Sequence, residues 1–500
     1  IVDFIKAVAR LTLIFIHLIQ KLMKSFFSVL LFCVAVQVMY AQEHEAPYIV
    51  PNDPLVVKNI EAWQDLKFGI FMHWGTYSQW GVVESWSICP EDEGWTQRKG
   101  PYSNDYYTYK NAYEGLQKTF NPVNFNPDKW ATAAKDAGFK YMVFTFKHHD
   151  GFCMFDSKYT DYKITSAETP FHTNARANIG KEVTKAFRDQ GFRIGTYFSK
   201  PDWHCEYYWW PYFPPKDRNV NYDPKRYPER WQQYKDFTYN QVEEILSDYG
   251  KVDILWLDGG WVRPNKTIDP KIEWQRTIPY DQDIDMAKIA AMGRRHQPGL
   301  IVVDRSVTGE YENYRTPEQE IPAVPLQYPW ETCMTMATSW SYVPGDTYKP
   351  AGTIIHYLVD IVAKGGNYLL NVGPSPLGDY DSVAYARMKE IGAWIKINGA
   401  AIYSTRPVAP YKENNICFTR NKNNSVNAIY LASENETVMP AVIRIKGIKP
   451  DAKASIQLLG VKGNLKWKTE AGETVISIPA SVQKAPPCKY AWTFTISQVE

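Results

Sequence analysis

A recurring pattern in the sequence sets polar, chemistry-bearing side chains directly after short apolar runs. FGIFMHWGTYSQW leads to His73 and Trp74, TFKHHDGF to His148, His149 and Asp150, and a third run closes at Tyr197. DILWLDGG then delivers Asp258, and VVDRS delivers Asp304 and Arg305. Imidazole, phenol and guanidinium groups are the side chains that hold a sugar's hydroxyls by hydrogen bonds. Cleaving a glycosidic bond further requires two carboxyls, one a nucleophile and the other an acid and then a base. Asp258 is the better-placed nucleophile, because an apolar strand ending at it would fix it against an anomeric carbon. For the acid, Glu310, Glu312, Glu318, Glu320 and Glu331 all follow the fifth or sixth run, and spacing does not choose among them.

Each residue also has a plainer explanation. A lone histidine at a strand end is more often structural, and Asp258 before Gly259-Gly260 could cap a turn. The adjacent pair His148-His149 raises the question of a metal, but neighbours on a strand point to opposite sides, and no metal or organic cofactor is expected. The repetition of such groups at one run's end after another favours the sugar-binding reading.

The elements needed to bring them together are legible. Parallel strands are expected at Lys67–Phe71, Tyr141–Phe146, Arg193–Phe198, Ile254–Leu257, Leu300–Val303 and Tyr368–Asn371. Apolar faces at helical spacing alternate with them at Asp128–Ala137, Lys181–Gln190, Trp231–Ser247, Met286–His296 and Thr353–Ala363. This is an α/β chain, and the pattern fits a (β/α)8-like TIM barrel, whose catalytic groups come from the C-terminal strand ends. The two strands still lacking are expected near Pro329–Thr332 and Thr338–Tyr342. After a helix at Val383–Asn398, short alternating runs such as Ala428–Ala432, Ala441–Ile445, Ser455–Leu459 and Thr474–Ile478 predict a C-terminal antiparallel β-sandwich. The expected division is 1–41 upstream segment and signal peptide, 42–400 barrel, and 401–500 sandwich.

Composition narrows the functions. With 56 Lys and Arg against 54 Asp and Glu, the chain has no electrostatic footprint for nucleic acid or an anionic membrane surface. Met23-Lys24, the apolar run Phe26 to Val38 and small Ala41 read as a secretory signal, which predicts an exported protein, periplasmic or secreted, with no stable membrane insertion. Seven cysteines without a CxxC pair imply neither zinc nor a disulfide scaffold, and the oligomeric state is not encoded.

Three segments resemble glycoside hydrolase family 29, the α-L-fucosidases: FGIFMHWGTYSQWG, FKHHDGFCMFDSKYTDY and GGNYLLNVGPSPLGD. The resemblance covers roughly Trp63 to Arg406 and implies a fucosylated glycan substrate. Carried over by position, it implies Asp258 as nucleophile and, in the segment resembling YRTPEQ, Glu318 as acid/base. It implies that His73, His148, His149, Tyr197 and Arg305 hold fucose hydroxyls with Trp86 beside them, while Phe71 and Trp340 wall the sugar's methyl group. Arg305 could instead orient Glu318. VVESWSICPEDEGW and YRTPEQEIP resemble the branch that favours α-1,3- or α-1,4-linked fucose on branched glycans, as in Lewis-type structures. The alternatives are a broad-specificity fucosidase and a non-catalytic fucose- or galactose-binding barrel.

Overall fold

The computed structural model describes residues 47–90 and 98–499. The expected signal segment lies outside them, as does part of the motif that follows Trp86. One compact unit takes in Asp269–Arg276, with the one-turn helix Glu273–Arg276; a second comprises Ile49–Ile268 and Thr277–Glu500 and holds everything described below.

Seven parallel strands form one sheet: β1 Phe68–Met72, β2 Tyr141–Lys147, β3 Arg193–Ser199, β4 Ile254–Asp258, β5 Ile301–Asp304, β6 Glu331–Thr335 and β7 Asn367–Asn371. Their order, β5-β4-β3-β2-β1-β7-β6, is that of a barrel cut between β5 and β6. Helices Pro127–Ala137, Ile179–Asp189, Pro228–Asp248, Met286–His296, Ala351–Ala363 and Ser382–Asn398 match the helical faces read in the sequence to within three residues. Asn126 and Asn178 cap two of them by accepting from the backbone N–H of Lys129 and Lys181.

Strand residues alternate between two cores, as a period of two requires. Phe71, Val143, Tyr197, Trp256, Val303 and Leu369 fill the barrel interior, together with Val56, Ile60 and Trp63 of the helix Pro54–Gln64. Ile70, Phe144, Phe198, Leu255, Val302 and Leu370 face the surrounding helices. Burying each such side chain stabilises the fold by about 1.5–3 kcal/mol. Gly69 makes room inside the barrel, since a Cβ there would lie 2.4 Å from the Tyr141 ring.

Among the described residues no regular eighth strand closes the sheet. One expected strand appears, as β6, but Thr338–Tyr342 does not pair. Asp346 explains why: its carboxylate accepts from the Ser339 backbone at 3.0 Å, from the Thr338 backbone at 3.3 Å and from the Thr338 hydroxyl, so a local fold competes with the ladder. The gap between β5 and β6 is filled instead by irregular chain, through isolated bridges Val303–Glu312, Arg315–Trp330 and Glu318–Cys333. Asn313 donates its N–H to Val302 O at 2.9 Å and accepts from Val302 N at 2.8 Å, while Gln319 donates to Cys333 O at 2.9 Å.

Beyond Asn398 the chain forms a five-stranded sheet facing a three-stranded one, both antiparallel, around Phe418, Ala428, Ile443, Ile476, Trp492 and Phe494. Strands Arg406–Glu413, Ile416–Arg420, Lys466–Glu470 and Ala491–Ile496 add to the four expected runs. Thr493 donates to Asn398 at 2.7 Å and Trp394 donates to Ala491 O at 2.9 Å, which fastens this sandwich to the last barrel helix.

Candidate active site

The C-terminal strand ends gather the expected groups. Asp258 ends β4, and Gly259 after it turns with φ 88°, where a Cβ would strike Pro201 at 2.2 Å. Tyr197 donates to Asp258 Oδ2 at 2.8 Å, and Arg305 Nη1 donates to Oδ1 at 3.1 Å. The other guanidinium nitrogen, Nη2, donates to Glu318 Oε2. One planar fork therefore holds both carboxylates, and of the two roles the sequence left open for Arg305 the contact with Glu318 is the one this geometry contains. Burial by itself would raise Asp258, but Arg305, His149, the Gly259 N–H and the Tyr197 hydroxyl outweigh it and hold its carboxyl well below the usual range.

The hydrogen-bond network assigns the tautomers of His149 and His73. Ser199 donates to Pro201 O at 2.6 Å, so toward His149 Nδ1, 2.7 Å away, it accepts; Nε2 of His149 is left bare, 3.8 Å from Asp258 Oδ2. Asn371 donates to Trp340 O at 2.6 Å, which turns its Oδ1 toward His73 Nδ1 at 2.8 Å and leaves that ring's Nε2 bare as well. Ser85 accepts from the Asp150 N–H at 2.9 Å and lies 2.5 Å from His148 Nδ1. Burial lowers all three: His73 and His149 to about 4, and His148 well below its ordinary value. At neutral pH the rim thus offers two neutral acceptors and a third neutral imidazole, suited to hydroxyls rather than to an anion.

Aromatic walls complete the pocket. Phe71 lies 4.3 Å from the His73 ring and 6.1 Å from Trp340, centre to centre, and Trp340 stands 5.1 Å from His73. Half-buried Trp86 meets His149 edge-on at 5.2 Å, with the Arg218 guanidinium 5.1 Å above its indole. Ring contacts and hydrogen bonds thereby join the expected site residues into one cluster, with Phe71 at its floor.

The competing carboxylates go elsewhere. Glu331 is wholly buried inside the barrel, where Tyr141 donates to it at 2.5 Å, and burial pushes it up to about 7. Glu312 is buried and accepts from the Ser306 N–H; Glu310, Glu318 and Glu320 are all exposed, and of these it is Glu318 that Arg305 binds. Asp304 is buried against Lys200 at 2.5 Å, and Asp150 accepts from Tyr113 at 2.6 Å. His148, His149 and Asp258 each offer one atom within 4.8 Å of the others, the only such group among the described residues. The cationic Arg305 on Asp258 opposes a metal there electrostatically.

Sequence reasoning missed the supports: Ser85, Ser199 and Asn371, which orient the imidazoles, and Trp256. Asn371 ends β7 and carried the same strand-end signal as Asp258. It also missed Glu84, buried with φ 38°, which accepts from the Ser341 N–H at 2.9 Å and is pushed by burial up to about 8.

A parallel barrel with two carboxylates and neutral hydrogen-bonding groups at its C-terminal rim is an arrangement that suits a glycoside hydrolase. The family pattern described as Alpha-L-fucosidase matches residues 35–400, and that of its C-terminal domain matches 410–497. The chain is 27% identical over 462 residues to the tissue alpha-L-fucosidase of Mus musculus, covering 88% of this chain and 92% of that one. It is 26% identical to the alpha-L-fucosidase of Branchiostoma floridae, covering 89% and 95%. Among solved structures, alpha-L-fucosidase isoenzyme 1 from Paenibacillus thiaminolyticus superposes with a TM-score of 0.70 at 28% identity, over 89% of this chain and 100% of that one. Thermotoga maritima alpha-fucosidase with a mechanism-based inhibitor gives 0.67 at 25%, over 90% and 100%. The chain belongs to the α-L-fucosidase family of glycoside hydrolases.

Proposed function

We propose that this α-L-fucosidase works by double displacement with retention, Asp258 serving as nucleophile and Glu318 as acid/base. The observation that carries the reading is the Arg305 fork, which seats both carboxylates side by side. Shared seating on one guanidinium favours the short separation of about 5–5.5 Å used in retention over the wider gap that admits a water between the carboxyls. In the first step an Asp258 oxygen bonds to the anomeric carbon as the glycosidic C–O bond breaks, and the Glu318 proton passes to the leaving oxygen. In the second, Glu318 takes a proton from water, the water oxygen bonds to the anomeric carbon, and the bond to Asp258 breaks. Asp258 enters this cycle ionised because Arg305 and Tyr197 hold it so. His73, His148 and His149 orient the hydroxyls, and Phe71 and Trp340 accept the methyl group.

The substrate we infer is α-1,3- or α-1,4-linked fucose on branched, Lewis-type glycans, met by an exported enzyme whose signal lies at 23–41. Support comes from the motifs around Trp86 and Thr316–Ile321, and from the patch of Trp86, Trp261 and Arg218 beside the pocket, where a neighbouring galactose would make transition-state contacts. The test compares kcat/KM for an aryl fucoside, an α-1,2-fucoside and a Lewis trisaccharide. The trisaccharide should lead by about a hundredfold if two hydrogen-bonded contacts are at stake. Equal values, or an α-1,2 preference, would remove the linkage claim alone. Proton NMR of the first-formed sugar checks retention: initial β-fucose would overturn it.

A further inference from the structure

The barrel interior beneath Asp258 carries a carboxyl that the reaction does not use. Glu331 is fully buried at the start of β6, where its Oε2 accepts from Tyr141 and its Oε1 from Trp256 Nε1 at 3.3 Å. Trp256 stands two residues before Asp258 on β4, so both side chains point to the same face of the strand. On its indole rest the two side chains that donate to Asp258: the Tyr197 ring stacks on it at 5.4 Å and 25°, and the Arg305 guanidinium lies 5.4 Å from its ring centre. Arg305 is also the group that holds Glu318. One ring therefore seats every hydrogen bond that side chains make to Asp258, and one buried carboxyl fixes the tilt of that ring.

We propose that Glu331 is a positioning residue for the reaction, acting through Trp256 on Tyr197 and Arg305. The inference rests on the reading of Asp258 as nucleophile. Its consequence is electrostatic. Asp258 is faced by Arg305 from β5, Tyr197 from β3, His73 and His149 from the β1 and β2 ends, the Gly259 N–H, Lys200 beyond β3, Glu84 from the loop after β1, and Glu318 across the guanidinium. Of these, Tyr197 and Arg305 contribute the charge stabilisation that a tilted indole would loosen, so the nucleophile would protonate at higher pH.

The experiment is the pH profile of kcat/KM on an aryl fucoside for wild type, Glu331→Leu and Glu331→Gln, with Asp258→Ala alongside. Glu331→Leu removes the acceptor for Trp256 Nε1–H. It should lower kcat at least about tenfold, with KM little changed, and move the acidic fall-off toward neutral pH. Gln keeps an acceptor for the indole and a partner for Tyr141, and should restore both the rate and the profile. A merely structural role would lower the melting temperature without moving the acidic limb. An unchanged limb in Glu331→Leu, or a Gln variant that behaves like Leu, overturns the proposal. Should Glu331→Leu fail to fold, Trp256→Phe decides, since it keeps a ring but removes the donor to Glu331: a shifted limb supports the proposal and a wild-type profile overturns it. If Asp258→Ala itself retains activity, the fault lies in the nucleophile assignment and not in the role of Glu331.

Discussion

The two carboxylates joined by Arg305 are held by different kinds of structure. Asp258 ends a regular strand that is paired on both sides, with β3 and β5, and its side chain is 15% exposed. Glu318 lies on the irregular chain that fills the gap between β5 and β6, tied by a single bridge to Cys333, and its side chain is 42% exposed. On the roles proposed above, the ladder would fix the group that attacks one carbon along one line, and the looser chain would carry the group that gives up a proton and takes one back.

The sharpest break between them is at Asp258 itself. Asp258→Ala should reduce kcat by about four orders of magnitude or more while leaving the fold intact, and azide should restore part of the turnover with a β-fucosyl azide as product. Glu318→Ala should cost about 10²–10⁴-fold, less on a fucoside whose leaving group departs without protonation. A Brønsted series of aryl fucosides measures this, and a loss independent of leaving group would move the acid role elsewhere. Smaller still is the effect of loosening the seam: Asn313→Ala removes the acceptor for Val302 N and should cost about 1 kcal/mol of stability. Its effect on rate should fall on poor leaving groups, which need Glu318, and spare activated ones, which need only Asp258; equal losses on both would mean that the seam does not place Glu318.

The finest distinction is in pH-dependent stability. Burial raises Glu84 to about 8 and Glu331 to about 7, above an ordinary value of 4.5, so the folded chain keeps protons that the unfolded chain has lost, and stability falls as pH rises through that window. His73 and His149 run the other way: burial lowers them to about 4 from 6.5, and stability falls as pH drops across that interval. Denaturant unfolding at pH 5 and pH 8 should show Glu84→Gln gaining at least ~1 kcal/mol on wild type at the higher pH relative to the lower. No differential gain would mean that Glu84 is ionised in the folded protein.

The contrast also explains what could be read in advance. Asp258, His73, His148 and Tyr197 follow or close strands whose apolar runs are unmistakable, so their convergence is a consequence of the fold class. Glu318 has no such run beside it: YRTPEQEIP has neither period, and the bridges that place it join it to chain 15 residues further on. Only the resemblance to a family singled it out. Thr338–Tyr342 misled for a related reason, because Asp346, several residues downstream, captures its amides. Glu331 and Trp256 were visible as letters, but their partnership crosses the barrel between β4 and β6, a pairing that no local pattern announces.

Beneath Asp258 the barrel is solid. Phe71, Tyr197 and Trp256 are succeeded by Tyr141 and Glu331, and then by Trp63 stacked on Tyr314 at 4.0 Å, all buried. A passage through the middle is therefore closed, and the pocket is a cul-de-sac. A chain therefore cannot thread through the barrel axis, and anything that reaches the rim groups does so from the open C-terminal side. A monosaccharide freed at the proposed site would have to leave by the opening through which the next substrate arrives.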